Sequence, residues 1–415
     1  MKNPKHIIII EPEISGHQPD YISLFASFFI RHNNGIKLSF LVNSRIFEKL
    51  KITKEMKNAI SEHMVSFITL STKETTGCMH KILWIRAFYR WFLAIKYCRR
   101  LRIDHVHFLF VDHMQLPLAL RMPIPRGINV SGILFRPSVH YKQVFGNSGT
   151  LKEKIRDARK YILYSLMLKN PKVSEIFSLD EYFIMYAKKH FPNREKLHYL
   201  PDPCLLSSKD RRIFYQFGIK KTLLPQERKI FLLFGTLDER KGIFATLDAL
   251  ALLEDRVSKQ IEIVFAGQLQ NSIKGHFLYK VSEYLRSHKA GAVLCVEDKY
   301  LSKNELAQLL KNCDALLIPY QRHVGSSGLL FWAASANKPL ITQDFGLIGY
   351  LVNKYKLGQA VDTTQPAEIA EAIQNFVDVK KAEENGVNEG RALFLQEHSP
   401  NEFSRKFFDV IFQRS

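Results

Sequence analysis

Short apolar runs recur along the whole chain, each followed by a helix-length amphipathic stretch, and that rhythm leaves few folds open. In the first half the runs are HIIII (6–10), KLSFLV (37–42), HVHFLF (105–110) and VSGILF (130–135), with a further one near 174–178. Helical patterning fills the gaps, most clearly over 18–31 and 82–100. The second half restarts with KIFLLF (229–234), IEIVFA (261–266), AVLCV (292–296), DALLI (314–318) and KPLIT (338–342). Strands that alternate with helices imply parallel sheets covered by helices. A rhythm that stops and restarts implies two of them. The expected fold is therefore α/β, with two Rossmann-like doubly wound domains facing across a cleft. A length of 415 residues suits that count, since a domain takes roughly 100–200.

The boundary is expected at Leu200-Pro201-Asp202-Pro203, where two prolines within three residues exclude a helix and stiffen an extended connection. This gives a first domain over 1–203 and a second over 204–398. A closing helix over 399–415 is announced by Ser399 as N-cap, Pro400 at the first helical position and Glu402 three residues after the cap. It is expected to pack back on the first domain.

Composition removes several classes. No apolar run approaches the roughly 18 residues of a membrane span. The opening MKNPKHIIII runs straight into Glu11 and Glu13, which reads as a first strand and not a signal peptide, so a cytoplasmic protein is expected. Cys78, Cys98, Cys204, Cys295 and Cys313 are scattered without a C-x-x-C pair, which argues against a disulfide framework and a zinc site. No metal site is expected. The net charge is +20, and basic residues outnumber acidic ones two to one before Cys204 but only slightly after it. The first half is thus expected to meet a polyanion or an anionic membrane surface.

Residues 81–102, KILWIRAFYRWFLAIKYCRRLR, sharpen that expectation. Trp84, Phe88, Trp91 and Ile95 recur at helical spacing, flanked by Arg86, Arg90, Lys96, Arg99, Arg100 and Arg102. Aromatics among cations describe an interfacial helix at the inner membrane face. The same stripe also describes a helix packed on its sheet, and both readings stay open. No nucleic-acid-binding motif accompanies the charge, so nucleic acid is not an expected partner.

In open parallel sheets, ligands bind beyond the carboxyl ends of the strands. After 229–234 comes Gly235-Thr236-Leu237-Asp238-Glu239-Arg240-Lys241-Gly242. A glycine turn, an adjacent Arg240 and Lys241, and a glycine opening a helix suit a diphosphate; a solvated basic turn is the plainer alternative. After 314–318 comes a second small-residue turn, with His323, Gly325, Ser326, Ser327 and Gly328 feeding a helix. Its hydroxyls and free N–H groups suit an anion as well as they suit a simple N-cap. In the first half, Ser15-Gly16-His17 follows the first strand, Asp112-His113 follows 105–110, and Arg136 ends 130–135. A histidine titrates near neutrality, so His17 suits proton transfer, or it simply caps the helix at 18–31 as a loop histidine. Arg136 suits an anionic group or a plain salt bridge.

The order G-T-L-x-x-R-K-G-I-x-x-x-L-x-A (from Gly235), V-F-A-G (from Val264), C-D-A-L-L-I-P-Y (from Cys313) and G-S-S-G-x-L-x-x-A-A-x-x-x-K-P-L-I (from Gly325) resembles the C-terminal half of the group 1, family 4-like, glycosyltransferases, which have the two-domain GT-B architecture. The resemblance spans roughly 229–375. It implies transfer of a sugar from a nucleoside-diphosphate donor to a carbohydrate or lipid-linked carbohydrate acceptor, with retention, no obligatory metal and no further cofactor. It implies that Lys241 contacts the donor phosphates, with Gly235, Thr236, Arg240 and the 323–328 turn around them. Tyr300 stands where the family packs the base. By the same layout Gly16, Asp112, His113 and Arg136 fall on the acceptor side, and His17 is the candidate base. The family's two glutamates, eight positions apart, are Val324 and Trp332 here. The arginine after its first glycine is Thr236, so Arg240 stands in for it. A sugar-nucleotide epimerase, a phosphorylase or a non-catalytic partner subunit of the same fold are the alternatives.

Overall fold

The computed structural model describes residues 6–14, 18–32, 35–50, 53–135, 137–140, 151–206, 228–288, 291–378 and 384–413. The chain divides into two compact units, one of Met1–Pro203 with His398–Ser415 and the other of Cys204–Glu397.

The first unit is built on a seven-stranded sheet in the order β3-β2-β1-β4-β5-β6-β7. Its strands are β1 (His6–Glu11), β2 (Lys37–Val42), β3 (Val65–Thr69), β4 (His105–Phe108), β5 (Asn129–Leu134), β6 (Val173–Ser178) and β7 (Leu197–Tyr199). Every adjacent pair is parallel. The order reverses direction between β1 and β4, which makes their carboxyl ends the switch point where such sheets bind ligands. Both faces are covered, so β1 reads as a continuous apolar run, and Ile7 to Ile10 are all buried.

The helices of this unit are α1 (Gln18–His32), α2 (Ser44–Lys49), α3 (Lys54–Ser61), α4 (Thr72–Cys78), α5 (Leu83–Leu101), α6 (Gln115–Ala119), α7 (Leu151–Leu168) and α8 (Glu181–His190). On one face Ile8, Ile10, Val106 and Phe108 join Trp91 and Tyr97 of α5, and Tyr164 and Met167 of α7, in a single core. The expectation for α5 therefore needs correcting in part. Trp91 is 1% exposed and packs on Phe108, and Arg90 is buried with the core. The outward side instead carries Trp84 and Phe92, with Phe88 half-buried between them and Ile95 packed against the core, because α5 is apolar on both sides and periodicity alone does not tell which side the sheet takes.

The second unit repeats the plan with six strands, β8 (Lys229–Phe234), β9 (Ile261–Ala266), β10 (Val293–Glu297), β11 (Ala315–Ile318), β12 (Leu340–Gln343) and β13 (Gly358–Val361). They pair in parallel in the order β10-β9-β8-β11-β12-β13. Here the switch point lies between β8 and β11. The helices are α9 (Ile243–Leu250), α10 (Asp255–Ser258), α11 (Asn271–Ser287), α12 (Lys303–Asn312), α13 (Gly328–Ser335), α14 (Gly346–Tyr355), α15 (Pro366–Asp378) and α16 (Glu384–Glu397). Leu316, Ile318, Leu330 and Ile348 pack one face of the sheet. Phe231, Phe265, Phe277 and Ile369 pack the other.

The last helix, α17 (Pro400–Gln413), belongs to the first unit. Ser399 Oγ accepts from the backbone N of Glu402 at 3.2 Å, the cap its sequence announces. Phe403 and Phe407 lie 5.0 and 4.3 Å from the ring of Phe25 in α1, and Phe407 meets the buried His107 ring edge-on at 4.6 Å. This aromatic layer closes the sheet face opposite α5 and α7, burying large rings at both sides of the contact.

Candidate functional site

In the second unit the loops after β8 and β11 meet at the switch point, and glycines let them meet. Gly242 has φ +72°, and a Cβ added there would stand 1.9 Å from the carbonyl oxygen of Pro319. No other residue fits so close an approach without displacing backbone. With the loops in contact, the backbone N of Gln321 donates to the Arg240 carbonyl at 2.9 Å. Asp238 caps the single turn 239–241 by accepting from the backbone N of Lys241 at 3.1 Å. That turn aims the Lys241 side chain inward.

Lys241 is buried, and its Nζ donates to Tyr320 Oη at 2.9 Å. Tyr320 Oη lies 3.1 Å from Ser327 Oγ, and Ser327 caps α13, accepting from Leu329 N at 3.3 Å. The Tyr320 ring stacks on His323 at 4.8 Å. His323 Nε2 donates to the Ser326 carbonyl at 3.3 Å, and its backbone N donates to Gln343 Oε1 at 2.9 Å. Thr363 Oγ1 holds the Tyr320 carbonyl at 2.6 Å from the loop after β13. Gly235 has φ +101°, and an added Cβ would come 3.3 Å from Lys241 Nζ, so this glycine leaves the ammonium its room.

The electrostatic consequence is specific. Among the described residues no carboxylate lies within ion-pair distance of Lys241. A buried ammonium paired only with a neutral phenol has paid desolvation without a compensating charge. The start of α13 adds a positive dipole end beside it. Such an arrangement is chemically suited to an anion.

The structure thus brings together Gly235, Lys241, His323, Gly325, Ser326, Ser327 and Gly328, with Gly325 placing an added Cβ 3.4 Å from His323 Nε2. Thr236 and Arg240 sit at the exposed rim, and the Arg240 guanidinium lies 3.3 Å from Asp238 Oδ2. Tyr300 stands apart, 85% exposed beyond β10. Its loop is fixed by Asp298, which accepts from Leu269 N at 2.8 Å and pairs with Lys274 at 2.6 Å; the Lys274 hydrogen bond holds that carboxyl below its ordinary range. Tyr320 is the central residue that sequence reading passed over. Its signal was its place two residues beyond β11, directly after Pro319.

In the first unit Gly16, His17 and Arg136 lie outside the described residues. Asp112 Oδ2 accepts from Phe135 N at 2.9 Å and so anchors the end of β5. His113 leans on Phe110, and its Nδ1 lies 2.9 Å from Glu13 Oε1 and 3.1 Å from Arg90 Nη1. Glu13 also accepts from Arg90 Nη2 at 2.7 Å, and Arg90 donates to the Cys78 carbonyl. Burial would raise the Glu13 carboxyl, but hydrogen bonds from His113 and Arg90 hold it down to about 2. Two residues back, full burial pushes Glu11 up to about 8. Glu13, Arg90 and His113 form a carboxylate–guanidinium–imidazole group at the switch point of this sheet. Only His113 of the three was a candidate from sequence.

Residues 216–393 match the family model described as glycosyl transferases group 1. No curated protein matches the chain. Among solved structures, sucrose-phosphate synthase from Thermosynechococcus elongatus aligns over 99% of this chain and 98% of its own, with TM-score 0.62 and 15% identity. WaaG, a glycosyltransferase involved in lipopolysaccharide biosynthesis, aligns over 98% and 99%, with TM-score 0.57 and 15% identity. HepE from Anabaena, solved in complex with UDP and glucose, aligns over 98% and 99%, with TM-score 0.56 and 12% identity. Identities this low speak for the fold, while the family-model match falls on the second unit. Residues 216–393 thus match the group 1 glycosyltransferase family model, and the chain as a whole has the two-sheet GT-B fold of these solved glycosyltransferases.

Proposed function

We propose that the enzyme takes its sugar from a nucleoside-diphosphate donor whose diphosphate lies against Lys241, Tyr320 and the start of α13. The observation that carries this reading is the buried Lys241 ammonium, which has no carboxylate partner among the described residues. The complex of the structurally similar HepE with UDP and glucose supports the same donor class. The acceptor is a carbohydrate or lipid-linked carbohydrate, met by the first unit through Gly16, His17, His113 and Arg136 at a cytoplasmic membrane face.

Transfer breaks the bond between the anomeric carbon and the donor phosphate oxygen and forms one to the acceptor hydroxyl oxygen. The acceptor proton passes to the leaving diphosphate, and configuration is retained. Lys241 and the α13 start stabilise the charge that develops on that diphosphate. No metal ion is required in this reading, since the chain has no D-x-D triplet to hold one and Lys241 supplies the positive charge.

Calorimetric titration of the full chain with UDP, GDP and dTDP tests the donor assignment. Saturable binding of at least one of them is the expected result. Absence of binding by all three, on folded protein, overturns it.

A further inference from the structure

In the first unit every exposed large apolar side chain among the described residues lies between Met79 and Met185. All belong to the layer of α5, α6, α7 and α8 and its connections; α1, α2, α3 and α17, across the sheet, expose none. On α5, Trp84 and Phe92 are 58% and 59% exposed, two turns apart with Phe88 between them, while Ala87, Trp91, Ala94 and Cys98 face the core. On α7, Leu151, Ile155, Ile162 and Leu166 form one outward stripe, while Tyr164, Met167 and Leu168 face the core. Both helices are apolar on the side a surface helix normally gives to water.

Charge follows the same division. Across 79–190 the exposed charged side chains among the described residues are all cations, including Arg99 and Arg100 on α5, Arg121 after α6, and Lys154 and Arg159 on α7. The opposite layer mixes signs, with Asp20, Glu48, Glu55 and Glu62 exposed alongside Lys54 and Lys57. A layer that is apolar and whose exposed described charges are all positive suits a partner that is apolar inside and negative at its surface.

We propose that this α5–α8 face docks on an anionic lipid bilayer, with Trp84, Phe92, Ile155 and Ile162 entering the interface and the cations meeting lipid phosphates. Aromatic and aliphatic side chains seat at the headgroup boundary, and nearby cations add electrostatic attraction. A second copy of this face is disfavoured, because a two-fold contact would set its cations against one another. A nucleic acid backbone would use the cations but leave the α7 stripe in water. The inference deepens the membrane part of the proposed function and rests on it only for the choice of a cytoplasmic leaflet.

The full chain is sedimented with vesicles of phosphatidylcholine alone and of phosphatidylcholine mixed with phosphatidylglycerol. Binding to the mixed vesicles only, weakening as salt rises, is expected. Arg99→Gln with Arg100→Gln should lose about fivefold for each cation removed, and Ile155→Ser with Ile162→Ser should also weaken binding. The emission of Trp84 should shift to the blue on binding, and Trp84→Phe should remove most of that shift. Equal sedimentation with both vesicle types, no effect of the Ile155 and Ile162 changes, or equal binding of duplex DNA overturns the proposal. So does a stable dimer that shields Trp84 without lipid. UDP titration of each variant reports folding separately: vesicle binding without nucleotide binding sinks the donor assignment and leaves this inference standing.

Discussion

The Lys241 ammonium donates to the Tyr320 hydroxyl at 2.9 Å and stands 4.7 Å from the centre of the same ring. The lysine comes from the loop after β8 and the tyrosine from the loop after β11, so one hydrogen bond spans the switch point of the sheet. Tyr320 in turn touches Ser327, the cap of α13. The contact chain Lys241–Tyr320–Ser327 therefore ties both loops to the helix start.

Removing either partner should weaken donor binding by different amounts. Lys241→Ala should cost about 1.5–3 kcal/mol of nucleoside-diphosphate affinity, the range for a hydrogen bond to a charged group. Tyr320→Phe keeps the ring and loses only the hydroxyl, so about 0.5–1.5 kcal/mol is expected. The double variant should cost less than the sum, because the two side chains touch. Calorimetry on the four proteins checks this, and strict additivity would show that Tyr320 does not act through Lys241.

A second expectation concerns the fold of the loop pair. At Gly242 both the φ of +72° and the Pro319 carbonyl exclude a side chain. Gly242→Ala should cost about 1–3 kcal/mol or more in stability, the scale of a strained backbone. Gly328 opens α13 with nothing within 4 Å of an added Cβ. Gly328→Ala should leave the melting temperature close to that of the parent. Equal melting of the two variants would remove the close approach as the reason for Gly242.

These residues also show what a sequence discloses and what it hides. Lys241 and Ser327 were legible because each sits in a glycine-flanked turn directly after an apolar run. Tyr320 was not, since a buried tyrosine after a strand looks like core, and only its hydroxyl reaches the site. Glu13 was hidden for another reason: its partner Arg90 lies 77 residues away. The doubly wound plan was legible from the strongest strands. The weak ones, β3 (VSFIT), β7 (LHY) and β13 (GQAV), lie at sheet edges, where partial exposure relaxes the demand for apolar residues.

Glu11 and Glu13 give the first unit a pH signature. Glu11 holds its proton up to about 8 when folded, against an ordinary value of 4.5. Between those values the unfolded chain has lost a proton that the folded chain keeps. Stability should fall as pH rises through this window, by about 1.4 kcal/mol per unit from this one group. Glu13 works with the opposite sign. Held down to about 2 when folded, it contributes stability that is complete above about 4.5 and lost as pH falls toward 2. Glu11→Gln keeps an acceptor for the Glu13 backbone N and removes the first slope only. Denaturant unfolding at several pH values reads both; an unchanged slope in Glu11→Gln would place the titration elsewhere.

The last expectation concerns the stereochemical course, where the acceptor proton goes. If configuration is retained, the leaving diphosphate accepts that proton and the enzyme needs no base of its own. His17 then positions the acceptor, and His17→Ala should lose activity only about tenfold, well short of the loss of a general base. His113 is held by Glu13 and Arg90 beyond the carboxyl end of β4. His113→Ala should raise KM for the donor or the acceptor more than it lowers kcat, since a positioned imidazole contributes binding. If configuration is inverted, a base must act from the face opposite the leaving group, and its loss should cost about 10²–10⁴ in rate. The anomeric configuration of the product, read by NMR against that of the donor, separates the two courses. A product with the donor's configuration and a mild His17→Ala defect is expected. An inverted product together with a severe His17→Ala defect would make His17 the base and overturn retention.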